Sequence, residues 1–478
     1  MNDRRTLTLA AALALAAALA GCAQAPPYRR PDVALPAAYK EAPDAEATWL
    51  PAAPADTLER GAWWRLFGDA TLDALAAQVE VSNQNVAAAV AAYAQAQALA
   101  RQAAAATYPT LGANAGATRS GAGAGSAARA ASATTMQLGL QASWEPDVWG
   151  RLGAAAAAAA ADREQSAALL AAARLSAQTA LATDYFALRE ADNELELLAQ
   201  AVAAYERALR ITQNQYRAGI VARTDVLEAQ TQVESTRANR VAMLAQRQRL
   251  EHAIALLVGR PAGAFAIAAA AWDTRVPAIP LAVPSLLLQR RPDIAAAERA
   301  VAAANAQVGV ASAAYFPSLA LSASAGSSAG SVAGLLRSSA SVWSLGLAAA
   351  QTLFDAGARG AAIAAAQAAR EQAIANYRQS VLAAFAGVED QLATMRSLAE
   401  QENLRRAASQ AADETERLTL NQYLQAQVPY TSVVGAQVTA LAARQTLSQL
   451  MSSRQAAAIA LVQAMGGGWH APADDDAP

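Results

Sequence analysis

The residue types that carry covalent or metal chemistry are scarce and scattered. The chain has one cysteine, Cys22, and two histidines, His252 and His470. A lone cysteine forms no disulfide within the chain, and these residues cannot assemble a zinc, haem or iron–sulfur site. His252 falls in a helical stretch, and His470 in an acidic tail that ends Asp474-Asp475-Asp476; neither has a neighbour that would make a nucleophile–base pair. The six methionines, Met1 included, form no cluster that would hold a soft metal. A net charge of −2, with no Lys/Arg block, gives nucleic acid no footing. No catalytic residue, cofactor or metal ligand is therefore assigned. Two carboxylates, Asp225 and Glu228, close to Arg223, stand out for another reason developed below.

The cysteine has a role consistent with its place. Arg4 and Arg5 precede an apolar run from Leu7 to Leu19, too short to span a bilayer and of the length of a signal-peptide core. It ends in Leu19-Ala20-Gly21-Cys22, which resembles the lipobox of bacterial lipoproteins. The resemblance implies a signal peptide over residues 1–21 and a lipid-modified Cys22. The following Ala23 and Gln24, in place of an inner-membrane retention aspartate, imply sorting to the outer membrane. Residues 22–68 then form a lipidated N-terminal segment.

The elements that would position any site come from an internal duplication. Tyr108-Pro109-Thr110-Leu111 corresponds to Phe316-Pro317-Ser318-Leu319, 208 residues on. From Gly150 and Gly357 the offset is 207, and it holds through Asn214-Gln215-Tyr216 with Asn421-Gln422-Tyr423, and Val258-Gly259 with Met465-Gly466. The copies span residues 69–260 and 285–467, joined by a linker over 261–284 and followed by an acidic tail over 468–478. Each reads as helix, two alternating strands, very long helix, turn, helix. Hydrophobic residues make up 54% of the chain and alanine dominates them, the composition of closely packed helices.

The first helix is expected from Ser82 to Thr107. Strands are expected at about 110–119, 135–144, 318–326 and 341–349, each with an apolar face and a polar or small one. The helix after Arg151 has no proline, and after Gly153 no glycine, to about Tyr216. At 1.5 Å per residue it would run roughly 100 Å. Leu181, Leu188, Leu195, Val202, Leu209 and Tyr216, and in the second copy Ile374, Val381, Val388 and Met395, recur every seven residues as packing seams. Thr224 and Thr431 are expected to cap the returning helices.

Four membrane-length strands cannot close a barrel, and open edges are not tolerated in lipid. The strands must come from several copies. Two copies fill their interior with side chains; three, with 12 strands between them, leave a lumen. Asn114, Thr118, Gln137, Gln141, Ser322 and Ser324 would line it, with small residues, leucines and tryptophans towards lipid.

Several motifs resemble one family. Arg290-Arg291-Pro292-Asp293-Ile294, Ala297-Glu298-Arg299, Ala304-Asn305-Ala306 and Phe316-Pro317-Ser318-Leu319 are similar to a signature of outer-membrane efflux lipoproteins, the NodT group of TolC-like channels. Trp63-Trp64 with Phe67-Gly68-Asp69 and Leu72, Trp144 to Arg151, Phe354-Asp355-Ala356-Gly357 and Tyr216-Arg217-Ala218-Gly219 match its other motifs. The resemblance implies a mainly α fold with a membrane β-barrel: a homotrimer with a shared 12-stranded barrel and an α-helical periplasmic tunnel. It implies passage of drugs or other small molecules, with a periplasmic adaptor (membrane fusion) protein and an inner-membrane pump of the resistance–nodulation–division type as partners, outer-membrane lipids around it, and no catalysis or cofactor. The tips of the long helices, with Tyr216, Arg217, Gly219, Tyr423 and Val428, would dock the adaptor. Arg223, Asp225 and Glu228 are candidates for the tip gate, with Arg223 placed to pair with either acid. The second copy departs from the pattern: Gly435 stands where many relatives carry an aspartate. Type I protein secretion and a pore-less periplasmic scaffold lipoprotein are the alternatives. Detergent extraction separates the scaffold, which would leave the membrane once Cys22 is replaced.

Overall fold

The computed structural model describes residues 27–33, 36, 38–41, 62–121, 133–277, 279 and 291–467. The signal peptide, Cys22, most of the 22–68 segment, part of the linker, Arg290, His470 and the acidic tail lie outside the described residues.

The duplication sets the order of the elements and the length of the three paired helices. In the first copy, α2 (Gln84–Ala105) leads to β1 (Thr110–Ser120), β2 (Ala133–Trp144), α3 (Arg151–Arg217) and α4 (Arg223–Leu257). In the second, α5 (Pro292–Ala313) leads to β3 (Ser318–Ala329), β4 (Ser341–Ala350), α6 (Ala358–Leu424) and α7 (Tyr430–Ala464). The paired helices have 22, 67 and 35 residues in each copy. The strands run up to three residues beyond the expected limits. Among the described residues no helix is long and apolar enough to cross a membrane.

One helix was not expected. At the start of the first copy, ahead of α2, α1 (Ala70–Ser82) is capped by Asp69, whose side chain accepts from the backbone N–H of Thr71 at 2.8 Å and Leu72 at 3.0 Å. The helix expected from Ser82 to Thr107 spans Gln84–Ala105, and it starts late because Asn83 breaks the chain between α1 and α2. Its Oδ1 accepts from Asn85 and Val86, starting α2, and its Nδ2 donates 2.8 Å to the carbonyl of Leu257 at the end of α4. There Gly259 lies against the same break: a Cβ at this position would sit 2.2 Å from the carbonyl oxygen of Ser82, and φ is +67°. Only glycine fits both the left-handed turn and the close approach.

The described residues group into two compact units. The first draws on Ala92–Ala167 and Ala296–Arg378 with the N-terminal segment up to Asp32; it holds the sheet. The second draws on Val33–Ala91, Ala168–Ala295 and the chain from Gln379; it holds the main core. In that core a 3-10 turn, Trp63–Phe67, and the apolar stripe of α1 (Leu72, Leu75, Val79) pack on Leu181, Tyr185, Phe186 and Leu188 of α3, Ile254 of α4, and Ile459 and Val462 of α7. The predicted seams are real but graded. Leu181 and Leu188 are fully buried, Leu195 and Leu209 half-buried, and Tyr216 is 44% exposed. Val381 and Val388 are buried, and Ile374 and Met395 are half-buried.

Burial also collects a charged network in this unit. Arg189, 4% exposed at its side chain, donates to Asp192 at 2.9 Å, to the carbonyl of Ala268 at 2.9 Å and to Tyr185 Oη at 3.0 Å. Arg247 of α4 reaches Asp192 at 2.6 Å and the carbonyl of Ile267 at 2.6 Å. Tyr185 Oη in turn donates 2.6 Å to Asp69. Burial, then this hydrogen bond to a carboxylate, pushes the Tyr185 phenol up to about 12. The network joins α1, α3, α4 and the segment after α4 through groups whose charges are matched inside the chain.

Candidate functional site

Two places carry the residues expected to function, each within its own unit. The first is the sheet. Its strand order is β1-β2-β3-β4, antiparallel throughout, so the two hairpins join through β2 and β3. In antiparallel pairing, directly opposite residues share a face. Leu111, Ala113, Ala115 and Ala117 of β1 therefore lie with Ala142, Leu140, Leu138 and Met136 of β2. Across β2 and β3 the same face continues through Ala142 with Ala323 and Trp144 with Leu321, and across β3 and β4 through Leu321 with Leu347, Ala323 with Leu345 and Ala325 with Trp343.

The opposite face holds Asn114, Thr118, Gln137, Gln141, Ser143, Ser322, Ser324 and Ser344 with glycines between them. Ser324 and Ser344 bond side chain to side chain at 2.9 Å, and Thr110 and Ser143 at 2.7 Å. The six residues expected on the polar face all lie there. The apolar face is open in the single chain: Trp343 is 81% exposed, Leu345 69% and Leu347 71%. A contiguous apolar face of this kind needs a cover. Among the described residues β1 and β4 each pair on one side only, which leaves two free edges.

The strand-to-helix junctions hold the sheet to its helices. Asp147 accepts from the N–H of Leu152 at 3.0 Å and of Gly153 at 2.6 Å, and Glu145 pairs with Arg151 at 2.8 Å. Asp355 accepts from Gly357 at 3.0 Å and binds Arg359. Trp149 stacks on Phe316 at 4.8 Å and donates to the carbonyl of Pro317 at 2.7 Å, so the two quoted motifs meet.

The second place is the helix-pair tip. In the first copy α3 ends in a Schellman motif: Ile220 N–H donates to Gln215 O and Gly219 N–H to Tyr216 O, both at 2.9 Å, with Gly219 at φ +74°. The second copy repeats both bonds, from Gln427 to Gln422 and Ala426 to Tyr423, at 2.9 Å. Ala426 takes the glycine's place at φ +56°, a left-handed conformation that costs a non-glycine residue on the order of 1 kcal/mol. The second tip thus keeps the turn without the usual glycine.

The returning helices start earlier than expected. The N-cap positions are Ala222 and Pro429, without side-chain caps, and Thr224 and Thr431 are the second residues of α4 and α7. Neither threonine is a cap, because the fixed backbone of the Schellman turn delivers the chain into helix two residues sooner. Arg223 is exposed and makes no ion pair among the described residues; it does not reach Asp225 or Glu228. Asp225 is half-buried and accepts from Thr224 Oγ1 at 3.4 Å. Glu228 has one carboxylate oxygen shielded from solvent with no partner. Arg217 binds Asn214, and Tyr216 is exposed beside it.

In the second copy Tyr423 is buried, donates 2.7 Å to Gln215 Oε1, and meets Tyr430 edge-on at 5.2 Å. Ala229 and Val433 complete this cluster, and Val428 packs against it. Burial first, then the charges of Tyr423 and Glu228, push the Tyr430 phenol up to about 12. Sequence reasoning did not single out Tyr430 or Gln215. The 207-residue offset was the available signal: it places Tyr430 opposite Arg223, a buried aromatic in one copy for an exposed cation in the other. The structure brings Tyr423 and Val428 together and leaves Tyr216, Arg217 and Arg223 outside that cluster.

The sequence profile of the outer membrane efflux protein family matches residues 75–260 and 283–467. The chain is 28% identical over 462 residues to the cation efflux system protein CusC of Escherichia coli O6:H1, covering 95% of this chain and 98% of that one. It is 30% identical over 430 residues to the pyoverdine export outer membrane protein OpmQ of Pseudomonas aeruginosa, covering 88% and 90%. The solved structure of the outer-membrane channel OprN superimposes with a TM-score of 0.85 at 27% identity, over 94% of this chain and all of that one.

Proposed function

The chain belongs to the outer membrane efflux protein family and is an efflux channel of the outer membrane; from that premise we propose that three copies close one barrel and pass small molecules delivered by an adaptor and an inner-membrane pump. The observation that carries the reading is the two-faced sheet with two free edges. Its strands have 10 to 12 residues, a length that crosses the hydrocarbon core when tilted by about 45°. Three such sheets joined edge to edge satisfy every backbone group, turn Trp343, Leu345 and Leu347 to lipid, and line a lumen with amides and hydroxyls.

Cys22 carries the lipid anchor in this reading, as an accessory to the barrel. The tips at Tyr216, Arg217, Gly219, Tyr423 and Val428 dock the periplasmic adaptor, and a pump of the resistance–nodulation–division type supplies the energy. The relatives export different things: one is named for cations and another for pyoverdine. For this chain the cargo class is drugs or other small molecules. Deleting the gene should make the cells more susceptible to at least one class of toxic compound, and the full chain supplied in trans should restore resistance. Unaltered susceptibility across a broad compound panel counts against the proposal.

The gate reading rests on Asp225 and Glu228 of the first copy, since Ser432 and Gly435 replace them in the second. A carboxylate with a shielded, unpartnered oxygen is held at a cost that a closed tip could recover through a contact to a neighbouring copy. Replacing Asp225 and Glu228 together with alanine should raise single-channel conductance several-fold in planar bilayers. Unchanged opening would sink the gate assignment while leaving the channel intact.

A further inference from the structure

The first unit contains a cleft beneath its N-terminal segment. The N-terminal segment from Pro27 to Asp32 crosses α5 and α6 and encloses, with them, a space of about 430 Å³. It is fixed at two points: Tyr28 Oη donates to the carboxylate of Glu298, and Arg30 Nε donates 3.0 Å to Tyr377 Oη, with the guanidinium over the Tyr377 ring at 5.9 Å. Four guanidinium groups line the cleft, from Arg29, Arg30, Arg370 and Arg378, against two carboxylates, Asp32 and Glu371.

The charges inside it are not matched as they are around Arg189. Among the described residues Arg29 and Arg378 make no ion pair, and Asp32 pairs with neither. Arg370 gives Nη2 to Glu371 at 3.0 Å, but its Nε–H is shielded from solvent and has no acceptor. A shielded donor without an acceptor is costly, on the order of 1–3 kcal/mol. The deficit is therefore one of negative oxygen, and guanidinium groups satisfy it best with a planar or tetrahedral oxyanion held by several N–H groups at once. The volume lies in the range of small-ligand pockets.

We infer that this cleft binds a phosphate group, held by Arg370 and Arg378 on α6 and closed over by Arg29 of the N-terminal segment. The inference does not depend on conduction or cargo. The phosphate could belong to a free anion or to the headgroup of an anionic lipid, and the cleft chemistry is the same for both. The segment begins only five residues after Cys22, so a lipid source is within the chain's neighbourhood.

The test uses the purified full-length protein in a zwitterionic detergent at constant ionic strength set with chloride. One arm titrates inorganic phosphate and follows thermal stability and calorimetric heat. The other adds phosphatidylglycerol and counts retained lipid by native mass spectrometry. Saturable binding in either arm is expected, and the arm that responds identifies the source. Arg370→Gln with Arg378→Gln should weaken it at least tenfold. Arg29→Gln, at an exposed position, should weaken it several-fold with the ligand-free melting temperature unchanged. Absence of saturable binding in both arms overturns the inference, and so does binding that all three substitutions leave intact.

Discussion

Leu345→Arg should prevent stable residence in the outer membrane, whereas Ser344→Arg, one residue away, should be tolerated. Leu345 lies near the middle of β4 on the apolar face, opposite Ala323, and is 69% exposed in the single chain. A guanidinium there would face the hydrocarbon at a cost of about 2–4 kcal/mol per chain, incurred in every copy of the barrel. Ser344, opposite Ser324, lies on the other face, where an arginine would project into water. The comparison is best made in a Cys22→Ser background, so that a lipid tether does not hold a failed barrel at the membrane. The readout is the fraction of chain retained in outer membranes after an alkaline carbonate wash. Cys22→Ser alone and with Ser344→Arg should be retained, and with Leu345→Arg released. Equal retention of both arginine variants would mean that the two faces of the sheet do not meet different solvents. Release of Cys22→Ser alone would return the chain to the scaffold alternative.

The second large effect is expected at Arg189. Its side chain is buried with Asp192, and three of its contacts fall on different parts of the second unit: Tyr185, Asp192 and the carbonyl of Ala268. Arg189→Ala leaves Asp192 with Arg247 alone, leaves the Ala268 carbonyl without its donor, and opens a void beside the Tyr185 ring that the guanidinium covers at 4.8 Å. Breaking one partner out of a buried pair costs about 3–5 kcal/mol, and because Arg247 remains the lower end, about 3 kcal/mol, is expected. Denaturant midpoints read from helical circular dichroism would show it. Arg189→Lys should recover only part, since an ammonium cannot span the three acceptors in the fork geometry of a guanidinium. A midpoint for Arg189→Ala equal to that of the parent would show that the network does not stabilise the fold.

The sequence was most informative where a pattern repeats with a period. The 207-residue offset reappears as helices of equal length, because each copy must bury the same stripe over the same number of turns. Period-two alternation assigned the strand faces before the pairing was known, and the register then carried that assignment across all four strands, since opposite residues share a face. The heptad positions located the seam. They did not reveal that it fades from full burial at Leu188 to exposure at Tyr216, because periodicity gives a direction around a helix and not what packs there.

What failed to show in the sequence was set by single contacts between distant segments. The helix α1 and its Asp69 cap stood in a quoted motif, but the reason for the motif is tertiary: Asp69 also receives Tyr185, 116 residues away. Thr224 and Thr431 looked like caps from residue type alone, and the backbone of the preceding turn decided otherwise. At the tip, charge and spacing pointed to Arg223 beside two acids, yet the folded chain separates them and builds its contact from uncharged Tyr423, Tyr430 and Gln215. The sequence by itself determined an exported, duplicated, helix-and-hairpin chain with two-faced strands, because periodicity and signal composition are local properties. Only the tertiary structure decided which buried charges are matched, which tip residues meet and where cationic groups lack a partner, because those depend on side chains that different elements bring together, Arg247 to Asp192 and Tyr423 to Gln215 among them.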